Sequence, residues 1–324
     1  MKFDIDLVYM WVDSNDPNWQ AKRTQYAQEQ TSNIAENTSK ARWRNNDELR
    51  YSLRSVEIYA PWIHHIFIIT DNQCPAWLDT NNPKVTIVDH REILPSEALP
   101  TFNSMAIESA LHKIANLSEY FILANDDLLF TRKVSPTDFF DSEGRPIVRL
   151  RHFKRNHPYP AGSYHSMIKR MQDIAHDKTG KLIPLSPHHC FDAYRKSQYE
   201  YCINNINAQE WIATTHSRFR HANNMQRCYI DYHMIATKHA IMRKVHRYNR
   251  ISSIWQVLRA LATNRYAIDS RYISFATTDY KSILHTFNPL MVCVNDDENT
   301  TDEDCNRMSE FLSSLFPNKS SFEN

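Results

Sequence analysis

The sequence predicts an α/β fold: a mostly parallel sheet with a helical C-terminal half packed against it. Three observations predict it. Four apolar runs of four to six residues have the length and β-branched or aromatic content of buried strands. Segments between them carry apolar residues at helical spacing, and strands alternating with helices build parallel sheets. The apolar runs also break into acidic turn residues, as strands do when they leave a sheet at one edge.

The first run, residues 7–12, is continuous and apolar, and ends in Asp13-Ser14-Asn15-Asp16-Pro17. Residues 28–46 are polar and rich in Asn, Ser and Thr, which reads as a loop. From Asp47, Leu49, Leu53 and Val56 recur on one helix face, and Arg50 and Arg54 share another. Residues 65–70 form a second strand before Asp71-Asn72, and residues 85–88 a third before Asp89. A helix is predicted from Ser104 to about Ile114. The fourth strand, residues 120–124, runs straight into Asn125-Asp126-Asp127. The strand ends at Asp13, Asp71, Asp89 and Asp126-Asp127 are expected to converge on one edge. Beyond residue 145 the strand signal weakens, and His, Arg, Tyr and Asn become dense. We read 1–145 as the α/β part and 146–324 as a mainly helical part completing the same domain. A last amphipathic helix carries Met308, Phe311, Leu312 and Leu315.

Composition excludes several classes. Lys plus Arg is 38 against 37 for Asp plus Glu, so bulk charge gives no reason to expect a nucleic-acid partner. Only three Gly are present, and neither GxGxxG nor GxxxxGK[ST] occurs, which argues against dinucleotide-fold and P-loop phosphate cradles. The six Cys are scattered without a CxxC pair and read as incidental cytosolic thiols. No apolar run reaches the roughly 18 residues of a membrane span, and the first residues lack a signal region. A cytoplasmic protein is expected, with room for peripheral contact with the inner membrane.

Four constellations can carry chemistry. Asp126 and Asp127 offer hard oxygen ligands for Mg²⁺ or Mn²⁺, or else cap a following helix. Trp11 beside Asp13 can stack on a base while Asp13 bonds base or ribose; a core Trp and an Asx turn explain the pair equally. Arg50 and Arg54, one turn apart, can grip phosphate or simply face solvent. Pro187-His188-His189-Cys190 and Arg218-Phe219-Arg220-His221 bring a base and cations suited to phosphoryl chemistry. His188 and His189 also raise zinc, but no second Cys/His pair follows at the usual spacing.

Taken in order, these motifs resemble a known family. They are Asp6-Leu7-Val8-Tyr9-Met10-Trp11-Val12-Asp13; Glu48-Leu49-Arg50-Tyr51-Ser52-Leu53-Arg54-Ser55 with Ala60-Pro61-Trp62-Ile63; Phe102-Asn103-Ser104 through Asn125-Asp126-Asp127; and Cys293-Val294-Asn295-Asp296 with Phe316-Pro317-Asn318-Lys319-Ser320-Ser321-Phe322-Glu323. The set resembles the Stealth family of hexose-1-phosphate transferases, which includes bacterial capsule polymerases and the catalytic subunit of the animal GlcNAc-1-phosphotransferase.

The resemblance implies a Rossmann-like fold of the nucleotide-sugar transferase type. It implies transfer of a sugar-1-phosphate, an N-acetylhexosamine as the family-level guess, from a UDP-sugar to a hydroxyl of a growing saccharide, with release of UMP. By motif, Asp126 and Asp127 match the acidic pair implicated in Mg²⁺ (or Mn²⁺) binding and catalysis. Arg220 matches a basic catalytic residue, and the catalytic His is His188 or His189. Trp11, Asp13, Arg50, Arg54, Asn103, Ser104 and Asp296 are expected at the donor site. Many members have Gly where this chain has Ser14. The large insertions and spans of the animal enzymes are missing from this sequence, which favours the bacterial capsule or cell-surface branch.

Overall fold

The computed structural model describes residues 3–27, 44–245, 269–277, 279–296 and 299–324. Most of the polar loop expected over 28–46 lies outside the described residues. The predicted strands appear as β1 (Ile5–Met10), β2 (Ile66–Thr70), β3 (Val85–Asp89) and β4 (Tyr120–Asn125). They form a parallel sheet in the order β3-β2-β1-β4, and the antiparallel β8 (Asp192–Arg195) closes its edge beside β4.

Both faces of the sheet are covered along β1, β2 and β4, which is why those strands read as apolar runs rather than alternating ones, whereas the edge strand β3 exposes Thr86. Val8, Phe67, Ile69, Phe121 and Leu123 enter one core, while Leu7, Tyr9, Ile68 and Ile122 enter the other. Truncating a fully buried member such as Ile122 to Ala would cost about 2–5 kcal/mol.

The first long helices follow the sequence pattern. Helix α1 (Pro17–Tyr26) starts from an Asp16 cap, and α2 (Glu48–Tyr59) buries Leu49, Leu53 and Val56. The helix expected over 104–114 is shorter. Helix α4 (Ser104–Glu108), preceded by the one-turn α3 (His90–Ile93), stops where the Ser109 hydroxyl donates to Ala106 O and lies 2.7 Å from Thr215 Oγ1. That local hydrogen bonding competes with the helical ladder, and only a 3₁₀ turn at Leu111–Lys113 follows.

The second half is rich in helices: α5 (Tyr164–Thr179), α6 (Lys196–Asn205), α7 (Ala208–Thr215), α8 (Cys228–Ala236), α9 (Tyr280–Phe287) and α10 (Asp302–Leu315). It also contributes strands whose signal the sequence hid. They are short, and several alternate with exposed or charged residues. β6 (Ile147–His152) lies between β7 (Leu185–Pro187) and β9 (Ile241–Val245). β11 (Met291–Asn295) lies between β10 (Ser270–Ser274) and β5 (Leu128–Phe130). β5 follows β4 after two residues but pairs with β11, so Asp126 and Asp127 sit where two sheets meet. No described helix is long and apolar enough to cross a membrane.

Candidate active site

Because β1 to β4 are parallel, their acidic ends do lie on one edge, but most of them are committed elsewhere. Asp71 pairs with Lys22 at 2.8 Å. Asp89 caps α3 in a capping box and pairs with Arg91. Asp13 Oδ1 accepts from the Asn15 amide in an Asx turn, and its backbone exchanges hydrogen bonds with the Gln73 side chain. Only Asp126 and Asp127 remain as a centre. They cap no helix, since a turn and then β5 follow them.

Strand β11 holds Asp127. Cys293 Sγ lies 3.2 Å and Asn295 Nδ2 3.4 Å from Oδ2, and the Val294 amide donates to the Asp127 carbonyl. Oδ1 is buried without a protein hydrogen-bond partner. The thiols at 190 and 293 are therefore built into the site rather than incidental. Cys190 donates to Asp192 Oδ1 at 3.2 Å as Cys293 does to Asp127.

The residue that sequence reasoning left without a role is Glu48. Asp47, in the left-handed region at φ 63°, starts α2 so that Glu48 turns back and accepts from the Asn46 amide and side chain. Burial, followed by repulsion from Asp127, lifts the Glu48 carboxyl to about 7. Burial, then Glu48 and Asp127, also raises Asp126 well above the carboxylate range. Burial and the neighbouring negative charge favour the protonated forms of Glu48 and Asp126, and a bound cation would favour their release of those protons. The signal in the sequence was Glu48 itself, an acid opening an amphipathic helix, indistinguishable there from a dipole-favouring first-turn acid.

A second group adjoins the first. Arg227 donates to Asp192 Oδ2 at 2.6 Å and lies 3.4 Å from Glu108. Burial opposes its charge, yet Asp192, Tyr194, Glu108 and Asp231 hold it cationic. Its charge also reaches Asp127, where it partly offsets the burial that raises that carboxyl. Arg220 joins this side, donating to Ser104 Oγ at 2.8 Å from the loop before α8.

The two histidines separate. The ring nitrogens of His188 are shielded from solvent, and burial, then Arg151, pushes its imidazole down to about 4, leaving it neutral at physiological pH. The His189 ring lies between Tyr164 at 5.9 Å and Tyr272 at 6.0 Å. Tyr272 donates to Asn295 Oδ1 at 2.7 Å, which links His189 to the side chain that contacts Asp127.

The other expected donor-site residues make structural contacts. Trp11 is buried in the core. Asn103 caps α4 and donates to Ser217 O and Asn224 Oδ1, clasping the loop that carries Arg220. Arg54 and Arg50 turn to Glu323: both Nε atoms lie 2.6 Å from its carboxylate, and Arg54 Nη1 donates to Phe316 O. Asp296 pairs with Arg44 at 2.9 Å just beyond β11.

Among the described residues no three His, Cys, Asp or Glu side chains form a ready cation cage. The donor set nonetheless fits Mg²⁺ or Mn²⁺. Such ions commonly take one or two carboxylates and fill their remaining positions with water and substrate phosphate, and a buried, unpartnered Asp127 Oδ1 offers one such ligand.

Residues 3–29 match Stealth protein CR1, conserved region 1, and residues 42–148 match Stealth protein CR2, conserved region 2. Glu48, Asp126 and Asp127 fall in the second region. The chain is 42% identical over 224 residues to exopolysaccharide phosphotransferase SCO6023 of Streptomyces coelicolor, covering 68% of this chain and 38% of that one. It is 29% identical over 355 residues to exopolysaccharide phosphotransferase cps2G of Lactiplantibacillus plantarum, covering 99% and 96%. It is 50% identical over 143 residues to capsular polysaccharide phosphotransferase cps1A of Actinobacillus pleuropneumoniae, covering 44% and 39%. The chain thus spans about two fifths of the Streptomyces and Actinobacillus proteins and nearly all of the Lactiplantibacillus one.

Proposed function

Since the chain belongs to the Stealth proteins, with conserved regions 1 and 2 in order, we propose that it transfers a sugar-1-phosphate from a UDP-sugar to a hydroxyl of a saccharide acceptor in capsule or exopolysaccharide synthesis. The observation that carries this reading is the Asp126-Asp127 centre, with its unpartnered oxygen, set against Arg227 and the His189 side of the site. Such a site handles a diphosphate: carboxylates on one side, cations on the other, and a base at the acceptor hydroxyl.

The acceptor oxygen attacks the phosphorus that bears the sugar. Its bond to the bridging oxygen breaks, UMP leaves with that electron pair, and the anomeric bond stays intact. His189 takes the proton of the attacking hydroxyl. Arg220 and Arg227 stabilise charge on the phosphoryl oxygens. Asp126 and Asp127 would hold Mg²⁺ or Mn²⁺, which when bound neutralises the diphosphate. An N-acetylhexosamine donor is the working choice, and the proposed location is the cytoplasmic side of the membrane where donor is made.

The test is chromatography of the nucleotide released from UDP-N-acetylglucosamine and related donors with acceptor and Mg²⁺. UMP with a new phosphodiester is expected. UDP as sole product would mean transfer of the sugar alone and would overturn the reading.

A further inference from the structure

A row of rings leads away from the carboxylate centre. Tyr272, linked through Asn295 to Asp127, lies 6.0 Å from His189, and His189 lies 5.9 Å from Tyr164. Tyr164 is 5.6 Å from His165, and His165 is 4.8 Å from Tyr159. Phe153 completes a triangle with Tyr159 and His165, at 5.5 and 6.0 Å, and the three ring planes lie within 13° of one another. Three mutually near-parallel rings at these separations are offset-stacked on one another.

Phe153 is buried, as a core ring would be, but Tyr159, His165, Tyr164 and His189 are only half-buried, and Tyr272 is 37% exposed. Tyr159 and Tyr164 lean on the core that holds Phe153, yet each keeps part of its surface in solvent, as His165, His189 and Tyr272 do. The flank is also charged in one sense. Residues 151–157 read Arg-His-Phe-Lys-Arg-Asn-His with no acid; His152 and Lys154 are exposed, and Arg155 pairs with Asp173 from α5. Aromatic faces suit the C–H faces of sugar rings, and Lys and Arg suit phosphodiesters.

We propose that this row is the acceptor track, in which the rings from Tyr272 to Tyr159 hold successive sugars of a phosphodiester-bearing saccharide and the basic segment 151–157 holds its phosphates. The inference rests on the transfer reading above, which makes the growing chain anionic. The acceptor end carrying the attacking hydroxyl lies at His189, and the older part of the chain runs toward Tyr159.

The experiment uses N-acetylhexosamine oligomers joined by phosphodiesters, of two or six repeats, with neutral oligomers of equal length as controls. Wild type, Tyr159→Ala and Lys154→Gln are compared for acceptor KM, donor KM and kcat, and for binding of the six-repeat oligomer by calorimetry without donor. Tyr159→Ala should raise KM and Kd for the six-repeat acceptor about fivefold. Donor KM and the two-repeat acceptor should be unaffected. Lys154→Gln, at an exposed position, should weaken the charged oligomer and leave the neutral one unchanged. Wild-type affinity in both variants at every length would overturn the track while UMP release still upheld the transfer. Release of UDP alone would overturn the transfer reading, and the calorimetry would then judge the track separately.

Discussion

Cys293 Sγ donates to Asp127 Oδ2 across 3.2 Å, joining residues 166 positions apart, and Asn295 reaches the same oxygen. Strand β11 thus fixes one carboxylate oxygen and leaves the other without a protein partner. Cys293→Ala should lower kcat about fivefold, the worth of one hydrogen bond, with donor KM unchanged. Cys293→Ser, which keeps a donor, should stay within about twofold of wild type. An alanine variant with full kcat would remove the positioning role.

Asp127→Asn keeps the shape of the side chain but takes away its charge. Transfer should fall by about a hundredfold or more. Thermal stability should hold or rise, because the change relieves repulsion with Asp126 and Glu48. Paired activity and melting measurements check this; near-normal activity would refute a charge role.

Glu48 gives a pH signature. Its folded-state value of about 7 lies above the unfolded value of 4.5, so the folded state binds the extra proton between them. Its contribution is present below pH 4.5 and is lost as pH rises through 7. Glu48→Gln removes that loss. The melting temperature of the variant relative to wild type should therefore climb from pH 5 to pH 7.5 when divalent cations are chelated. Added Mg²⁺ should shrink the difference. A flat difference across that range would contradict the shared-proton cluster.

The two histidines should respond differently. His189→Ala should cost about a hundredfold or more in kcat as loss of the base. His188, neutral in the fold down to about pH 4, should tolerate Gln with little change in kcat. Acid stability gives a second readout. The His188 contribution is present above pH 6.5 and lost as pH falls toward 4, and His188→Gln should reduce that loss. Equal losses in kcat for both variants would leave neither as the base.

Arg54 and Glu323 form a buried ion pair, and Arg50 and the Ser320 amide accompany Arg54 in holding the Glu323 carboxyl down to about 2 against its burial. Arg54→Met would leave that carboxylate without the partner that donates to both of its oxygens. The expected cost is about 3–5 kcal/mol in urea unfolding, with donor KM close to wild type once the protein is folded. A large rise in donor KM with little loss of stability would return Arg54 to the donor site.

The sequence by itself determined three of the four parallel strands, because strands buried on both faces are apolar throughout, as residues 7–10, 66–69 and 121–124 are; the edge strand β3, with Thr86 exposed, carried the weaker signal of a short β-branched run. It also determined where their acidic ends lie, and so pointed to Asp126-Asp127. Only the tertiary structure decided which acids stay available: Asp71, Asp89 and Asp13 look like Asp126 in one dimension, yet each finds a cation, a cap or a turn. Only the fold brings Glu48, Cys293 and Arg227 to the same centre, since long-range neighbours leave no local spacing to read. It likewise turns Arg54 toward Glu323 and separates His188, held against Arg149 and Arg151 of β6, from His189, set between Tyr164 of α5 and Tyr272 of β10. The acidic turn was legible because backbone geometry is local; its electrostatics depended on distant charges.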